Sequence, residues 1–221
     1  MKTLLILLRK EFALEARSRE IISTMVVFSV LLVILFSFAF YTDTERARVY
    51  APGILWITVL FSGTIGLNRL FDKEMEAGAM EALLLAVPVT RWVFMAKALT
   101  HYVLTLMVVG LTIPTLVLFF RLEVPNVAGL LGTLAAGTLG FSFLGSLFAS
   151  TLCYARMKDV LLPLVVYPLA VPVLVAGVKS SGALLTPGAE GDAWPWFLFM
   201  LGYDVLFVSA SVFLYKPLAE Q

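Results

Sequence analysis

The sequence predicts an all-α membrane protein with six transmembrane helices, and three observations support that fold class. Of the 221 residues, 61% are hydrophobic and 14% are charged, and the mean hydropathy is +0.97. A soluble domain of this length cannot bury so much apolar surface, so the chain is expected to lie in lipid. The other two observations are six long apolar stretches and an uneven distribution of lysine and arginine among the segments that connect them.

The apolar stretches predict the spans directly, because a bilayer core about 30 Å thick is crossed by roughly 20 apolar residues in a helix. The predicted spans cover residues 22–41, 50–68, 98–120, 128–150, 160–178 and 194–215, within one domain of residues 1–221. The uncharged run around the fourth span is longer than one helix needs and too short for two. Residues 179–192 are rich in Gly, Ser and Pro, and predict a loop with at most a short helix at 183–185.

Residues 2–20 predict a helix that lies in the membrane interface before the first span. Leu4, Leu8 and Phe12, and at the next turn Glu15 and Ala16, recur on one side of it, and basic residues lie near the lipid headgroups. Two interpretations remain open. The helix is either a membrane anchor or a flexible elbow that leads into the first span.

The positions of Lys and Arg predict the orientation, because cytoplasmic loops retain positive charge. With the N-terminus inside, the inner segments hold twelve basic residues and the outer segments hold Arg46, Arg48, Arg121 and Lys179. Both termini are therefore expected in the cytoplasm. The tryptophans Trp56, Trp92, Trp194 and Trp196 then fall near the two interfaces, where indole rings typically anchor a protein in lipid. The basic residues are scattered among acids, which argues against a nucleic-acid partner.

Residues 69–97 hold eight charges between the second and third spans and predict a cytoplasmic coupling helix at about residues 72–87. Asp72 is placed to cap this helix, Glu74 and Glu76 fall in its first turns, and Pro88 ends it. A second helix is expected to begin near Thr90 and continue into the third span. In one interpretation, the coupling helix lies on the membrane surface with its acidic side chains in water. Its excess of acids over bases favours a protein partner instead, because a helix on anionic headgroups should be rich in Lys and Arg.

Asp204 and His101 are the ionisable residues that the sequence places within spans. Asp204 is expected near mid-bilayer, where an ionised carboxylate costs roughly 2.5 to 3.5 kcal/mol, so it needs a partner or a proton. Three roles remain open for it. Asp204 lines a transport pathway, holds two helices together through a polar contact, or makes a local hydrogen bond without a further function. His101 is expected in the first turn of the third span, as a boundary residue about half a bilayer from Asp204. That separation argues against a catalytic pair, and no catalytic or metal site is predicted.

Small residues and prolines mark two further helices. Gly132, Ala136 and Gly140 recur at every fourth position of the fourth span, which favours close helix packing over a subunit contact or a pathway lining. The fifth span contains Pro163, Pro168 and Pro172. Each proline removes an amide donor, so this helix is expected to kink or break, either as a moving or re-entrant element or as a static kinked helix.

Residues 69–97, which we call the elbow, resemble a known family together with their flanks. The pattern consists of Arg69-Leu70-Phe71, Glu74, the run Glu76-Ala77-Gly78-Ala79-Met80-Glu81-Ala82-Leu83-Leu84-Leu85, Pro88, Lys97 and His101, with Leu162-Pro163-Leu164, Pro168 and Pro172 further on. With the matching length and six spans, nearly the whole chain resembles the membrane subunit of the cytochrome c maturation haem exporter, CcmB, in the ABC-2-like permease class.

The resemblance implies a bacterial inner-membrane permease that pairs with a second copy of itself and with two copies of a separate ATP-binding subunit, CcmA. The coupling residues would be Asp72, Glu74, Glu76, Gly78, Glu81, Leu84 and Pro88, seated in a groove of the ATPase. The chain has no Gly-rich phosphate-binding loop, so it is not expected to hydrolyse ATP or to be an enzyme.

The cargo remains open at this stage. The resemblance implies either export of haem or the use of the same motion to release a haem-loaded chaperone, CcmE, from the partner CcmC. No cofactor is expected on this chain, because His101 is better explained as a hydrogen-bonded boundary residue than as an axial ligand of haem, and Trp194-Pro195-Trp196 is shorter than the Trp-rich haem motif of CcmC. The alternative function is an ABC-2 exporter of a drug, lipid or glycan.

Overall fold

The computed structural model describes residues 2–40, 44–72, 75 and 91–219, and these residues form helices joined by short turns. The described helices are α1 (Lys2–Ser18), α2 (Glu20–Ala39), α3 (Thr44–Arg69), α4 (Arg91–Phe120), α5 (Val127–Leu152), α6 (Lys158–Leu185), the 3-10 helix η1 (Glu190–Asp192) and α7 (Ala193–Ala219). Six of them, α2 to α7, are long and apolar enough to cross a membrane. The predicted all-α fold with six transmembrane helices is confirmed.

The helices pack around α5, which contacts α3, α4, α6 and α7. On one side, α2 packs against α3 and α4, and α1 lies across the first turns of α4. One end of the bundle carries α1, the end of α3 and the starts of α4 and α6, and we call it the α1 end. The opposite end carries η1 and the start of α5, and we call it the η1 end. Broad apolar faces of α2, α6 and α7 remain exposed, as expected of helices that face lipid.

One helix boundary agrees with the prediction and another differs from it. The helix α4 begins at Arg91 and continues without interruption into the third span, as predicted. The helix α6 continues to Leu185, where a loop was predicted. Packing outweighs the weak helix propensity of this segment, because Leu184 and Leu185 are buried and the hydroxyls of Ser180 and Ser181 bond to neighbouring helices.

The three prolines do not break α6. The helix is continuous through Pro163, Pro168 and Pro172, so the predicted break is absent and a re-entrant element is excluded. Pro168 and Pro172 lie on the exposed side of the helix, away from the core of the bundle. Motion of α6 stays a prediction.

Trp56 is a core residue and not the membrane anchor that the sequence predicted. Its side chain is 2% exposed, and its indole nitrogen donates a hydrogen bond to the Ser181 hydroxyl at 3.0 Å. Gly137 of α5 and Gly177 of α6 lie against opposite parts of the ring, and a Cβ at either position would come within 2.3 Å of it. Trp56 therefore joins α3 to α5 and α6. Trp194, by contrast, is 60% exposed at the η1 end, in keeping with the predicted interface.

Candidate functional site

The base of the predicted elbow is held by a buried lysine in α4. The Lys97 ammonium lies 2.9 Å from the Glu11 carboxylate of α1 and donates a hydrogen bond of 2.9 Å to the Leu70 carbonyl, just after α3. It also lies 5.5 Å from the centroid of the Phe71 ring. The Lys97 side chain is only 3% exposed, so these contacts replace its hydration. One residue thus joins α1, the chain that enters the elbow and the helix that leaves it.

The buried face of α1 is partly polar. The sequence placed Glu15 on this face but did not predict that Glu11 is buried there. Its fully buried residues are Leu7, Glu11 and Glu15, spaced one turn apart. The predicted residues Leu4 and Leu8 are half-buried beside Leu7 and pack on α4. Sequence patterns treat glutamates as exposed, because a buried carboxylate is stable only with a partner, and the partner here is far away in the chain.

The corner between α1 and α2 is a specific structure, which favours a defined joint over a flexible one. Arg19 is the only residue between the two helices and has a left-handed backbone, with φ 53°. The Glu15 carboxylate accepts a hydrogen bond of 2.9 Å from the Ile22 amide, in the first turn of α2. That bond satisfies one of the amides that a helix start leaves without a partner.

Asp72 ties the start of the elbow to α6. Its carboxylate accepts a hydrogen bond from Lys158, in the first turn of α6, and Lys158 also reaches the Asn68 carbonyl at 3.4 Å. Asp72 itself has helical backbone structure, and its carboxylate makes a contact between segments. Its predicted role as a cap of the coupling helix concerns amides outside the described residues and stays a prediction. The remaining predicted coupling residues lie outside the described residues, and their role stays a prediction: Glu74, Glu76, Gly78, Glu81, Leu84 and Pro88.

A polar cavity of about 460 Å³ opens beside this base at the α1 end. It lies between α2, α3 and α6 and is lined by Glu20, Ile21, Ile65, Asn68, Arg69, Asp72 and Asp159. Across it, Arg69 and Glu20 form an ion pair of 2.5 Å. The chain therefore enters the elbow beside a charged rim, whose polar groups could contact a protein partner.

His101 lies inside the bundle and not at its boundary. The ring is fully buried, with Nε2 2.9 Å from the Gly63 carbonyl and Nδ1 3.0 Å from the Ser142 hydroxyl. His101 is the eleventh residue of α4, which begins at Arg91 in agreement with the predicted start near Thr90, so the first turn of the predicted span is not the first turn of the helix. Both ring nitrogens are engaged in joining α4 to α3 and α5, so neither is free to bind an iron in this arrangement.

Asp204 of α7 is buried against α5. Its Oδ1 accepts a hydrogen bond of 2.9 Å from the Gly140 amide, and its buried Oδ2 has no hydrogen-bond partner among the described residues. Gly140 leaves the room for this contact, because a Cβ there would lie 2.4 Å from the carboxylate. The predicted close packing at Gly140 thus serves a polar contact between helices.

Asp204 and His101 lie at the same level of the bundle, which corrects the predicted separation of half a bilayer. Their partners on α5, Gly140 and Ser142, are two residues apart, equivalent to about 3 Å along a helix axis. Two residues also turn a helix by about 200°, so the two side chains contact opposite sides of α5. They remain unsuited to act as a catalytic pair, because α5 lies between them. Within the described segments, no three His, Cys, Asp or Glu residues converge in a way that could hold a metal ion.

Comparison with known proteins identifies the family. The sequence model of the family described as CcmB protein matches residues 2–217. The chain belongs to the CcmB family. A protein called heme exporter protein B from Rhodobacter capsulatus is 30% identical over 85% of this chain and 84% of its own length. Proteins of the same description from Haemophilus influenzae and Pseudomonas aeruginosa are 30% and 29% identical, over 82% and 81% of this chain and 83% and 79% of their own lengths. This member of the CcmB family is a multi-pass membrane protein.

Proposed function

We propose that this chain is the membrane subunit of an ABC transporter complex for cytochrome c maturation, in the inner membrane and with both termini in the cytoplasm. A separate ATPase, CcmA, hydrolyses ATP, and the coupling helix at about residues 72–87 passes the resulting motion to the six spans. The motion drives export of haem or release of the haem-loaded chaperone CcmE from CcmC. Membership of the CcmB family, whose relatives carry the name heme exporter, favours this function over export of a drug, lipid or glycan.

The observation that supports coupling most strongly is the way in which the base of the elbow is held. The chain that enters the elbow is tied to α4 through Lys97 and to α6 through Lys158. A push on the elbow is therefore delivered to α3, α4 and α6 together, and through Glu11 to α1. Switching transitions in proteins commonly use such rigid contacts between packed elements, because tightly packed interiors deform little.

Haem is cargo of the proposed complex and not a resident group of this chain. The one histidine, His101, has both nitrogens bonded inside the bundle, so binding haem iron there would break two hydrogen bonds. Release of a haem-loaded chaperone requires only motion of the membrane subunit, and it needs no haem site on this chain. We therefore favour release over passage of haem through the chain.

The test reverses charge on the elbow. In cells or membranes that contain the whole complex, Glu76→Lys with Glu81→Lys should abolish the release of haem-loaded CcmE, because the elbow would lose the negative charge that is proposed to bind the ATPase. Detached CcmE carrying haem is measured, together with the amount of CcmA that copurifies with this chain. Loss of both quantities is the expected result.

A matched control reverses an exposed charge at the opposite end of the bundle. Asp192→Lys in η1 should leave release and copurification at wild-type levels, because this residue lies away from the elbow. Normal release from the elbow variant, with the variant present at the wild-type level in the membrane, would contradict the coupling proposal.

A further inference from the structure

A second cavity lies at the η1 end of the bundle, away from the elbow. Its volume is about 340 Å³, within the range of cavities that bind small molecules. It lies between α5, α6, η1 and the start of α7, and its lining residues include Gly132, Thr133, Ser180, Leu184, Glu190 and Trp194. These residues belong to the ends of spans, which places the cavity at the boundary between the bilayer core and the headgroups.

The floor of this cavity is apolar in character. Leu184 and Ala193 are 4% and 6% exposed, and the hydroxyls of Thr133 and Ser180 bond to each other at 3.0 Å. Because the two hydroxyls are hydrogen-bonded to each other, neither needs a polar ligand, and the floor suits a hydrocarbon chain. Gly132 adds open space, because a Cβ built on it meets no atom within 4 Å.

The rim of the cavity has one charge and an aromatic pair. Glu190 is exposed, and it is the only charged residue among those that line the cavity. Trp194 is exposed and stacks on Phe197, with ring centroids 5.7 Å apart. A carboxylate beside an indole ring suits an ammonium group, which forms an ion pair with the first and a cation–π contact with the second.

From these features we propose that the cavity binds a membrane phospholipid with an ammonium headgroup, with one acyl chain against the Leu184 floor and the ammonium near Glu190 and Trp194. Its chemistry disfavours the other ligands of this membrane. An anionic lipid would meet only a negative rim, and haem would find no His, Cys, Met or Tyr ligand among the lining residues. This inference is independent of the proposed function, since it concerns a different end of the bundle.

The test uses the purified full chain in bilayer discs made from equal amounts of phosphatidylethanolamine and phosphatidylglycerol. Native mass spectrometry then measures the lipid that stays bound after the disc is removed. The wild-type chain should retain phosphatidylethanolamine several-fold over phosphatidylglycerol. Glu190→Gln should reduce that preference to within about twofold, because an exposed ion pair contributes up to roughly fivefold in affinity and the variant loses it.

Filling the cavity should remove the bound lipid itself. Gly132→Trp, and the milder Gly132→Leu, place a side chain in the open space and should lower lipid retention at least fivefold. The matched control is Gly202→Trp, because Gly202 is also a helical glycine with no atom near its Cβ, but it lies on the exposed face of α7. It should retain lipid like the wild type. Each variant is first shown to be folded by its elution volume and melting temperature.

Two results would overturn the inference. One is retention by both Gly132 variants at the level of the Gly202→Trp control, which would place the lipid elsewhere. The other is a wild-type chain that retains the two lipids equally, which would show that the rim does not recognise the headgroup.

Discussion

At the scale of single residues, the pair formed by Lys97 and Glu11 is expected to matter most for stability. Both side chains are nearly buried, and removing one member of a buried ion pair takes away the interaction that offsets the desolvation of the other. We expect Glu11→Leu to lower the free energy of unfolding by about 3 kcal/mol, and Glu11→Leu with Lys97→Met to lower it by less than half as much. Unfolding in detergent measures both values.

The exposed pair between Arg48 and Glu123 provides the control for this prediction. Its ions are 2.9 Å apart, but Glu123 is 79% exposed, so Arg48→Gln should cost less than about 1 kcal/mol. If the double variant at Lys97 and Glu11 is as unstable as the single one, the loss comes from packing or from the bond to Leu70 and not from the broken ion pair.

Asp204 tests whether a buried carboxylate is needed for its charge or for its oxygen. Asp204→Asn keeps an oxygen that can accept from the Gly140 amide, so its unfolding free energy should stay within about 1 kcal/mol of the wild type. Asp204→Leu removes that acceptor and should cost about 1 to 3 kcal/mol. Equal losses in the two variants, measured by unfolding in detergent, would show that the charge itself is required.

At the scale of helices, the close approach of α3, α5 and α6 depends on glycines around Trp56. Gly177→Ala should destabilise the protein by about 1 to 3 kcal/mol, because the added Cβ would lie within 2.3 Å of a ring that is packed on every side. Gly110→Ala is the matched control in α4, where a Cβ meets no atom within 4 Å, and it should be neutral or slightly stabilising. Melting temperatures in the same detergent compare the two. An unchanged melting temperature for Gly177→Ala would mean that Trp56 can move.

The helices themselves could be predicted from the sequence, but several of their contacts could not. Uncharged runs of about 20 residues identify spans because the bilayer leaves a chain few alternatives. The position of Trp56 could not be predicted, because an indole near the end of a span suits the interface and the core equally until its neighbours are known. The same limit applies to Glu11 and Lys97, which are 86 residues apart in the chain.

The depth of His101 could not be predicted from the apolar run alone. Counting the span from its first uncharged residue, Ala98, predicts His101 at the boundary, even though the helix itself is predicted from about Thr90. The helix begins at Arg91 and carries Lys97 into the bundle, where Glu11 balances its charge. A hydropathy pattern detects the part of a helix that lies in lipid, whereas charged turns that are buried by neighbouring helices escape it.

At the scale of the whole molecule, we expect a second copy, if the complex contains one, to bind on the exposed side of α6. Pro168 and Pro172 each leave a carbonyl without its helical donor, and these prolines lie on the exposed side of a membrane-spanning helix. A carbonyl without a partner costs several kcal/mol in lipid, so protein or water is expected to cover this side. In a symmetric dimer, a residue near the twofold axis meets its own copy, and α6 would then lie next to α6 of the second copy.

Cross-linking between cysteines tests this arrangement in membranes that contain the assembled complex. Leu164→Cys and Val171→Cys, on the exposed side of α6, should each form dimers on mild oxidation, while Val205→Cys on the exposed side of α7 should not. The native Cys153 should contribute little background. Burial raises the pKa of its thiol, so less reactive thiolate is present at neutral pH. Cross-links of equal yield at Val205 and at the two α6 positions would mean that lipid covers α6, and the freed carbonyls would then have to be satisfied within their own helix.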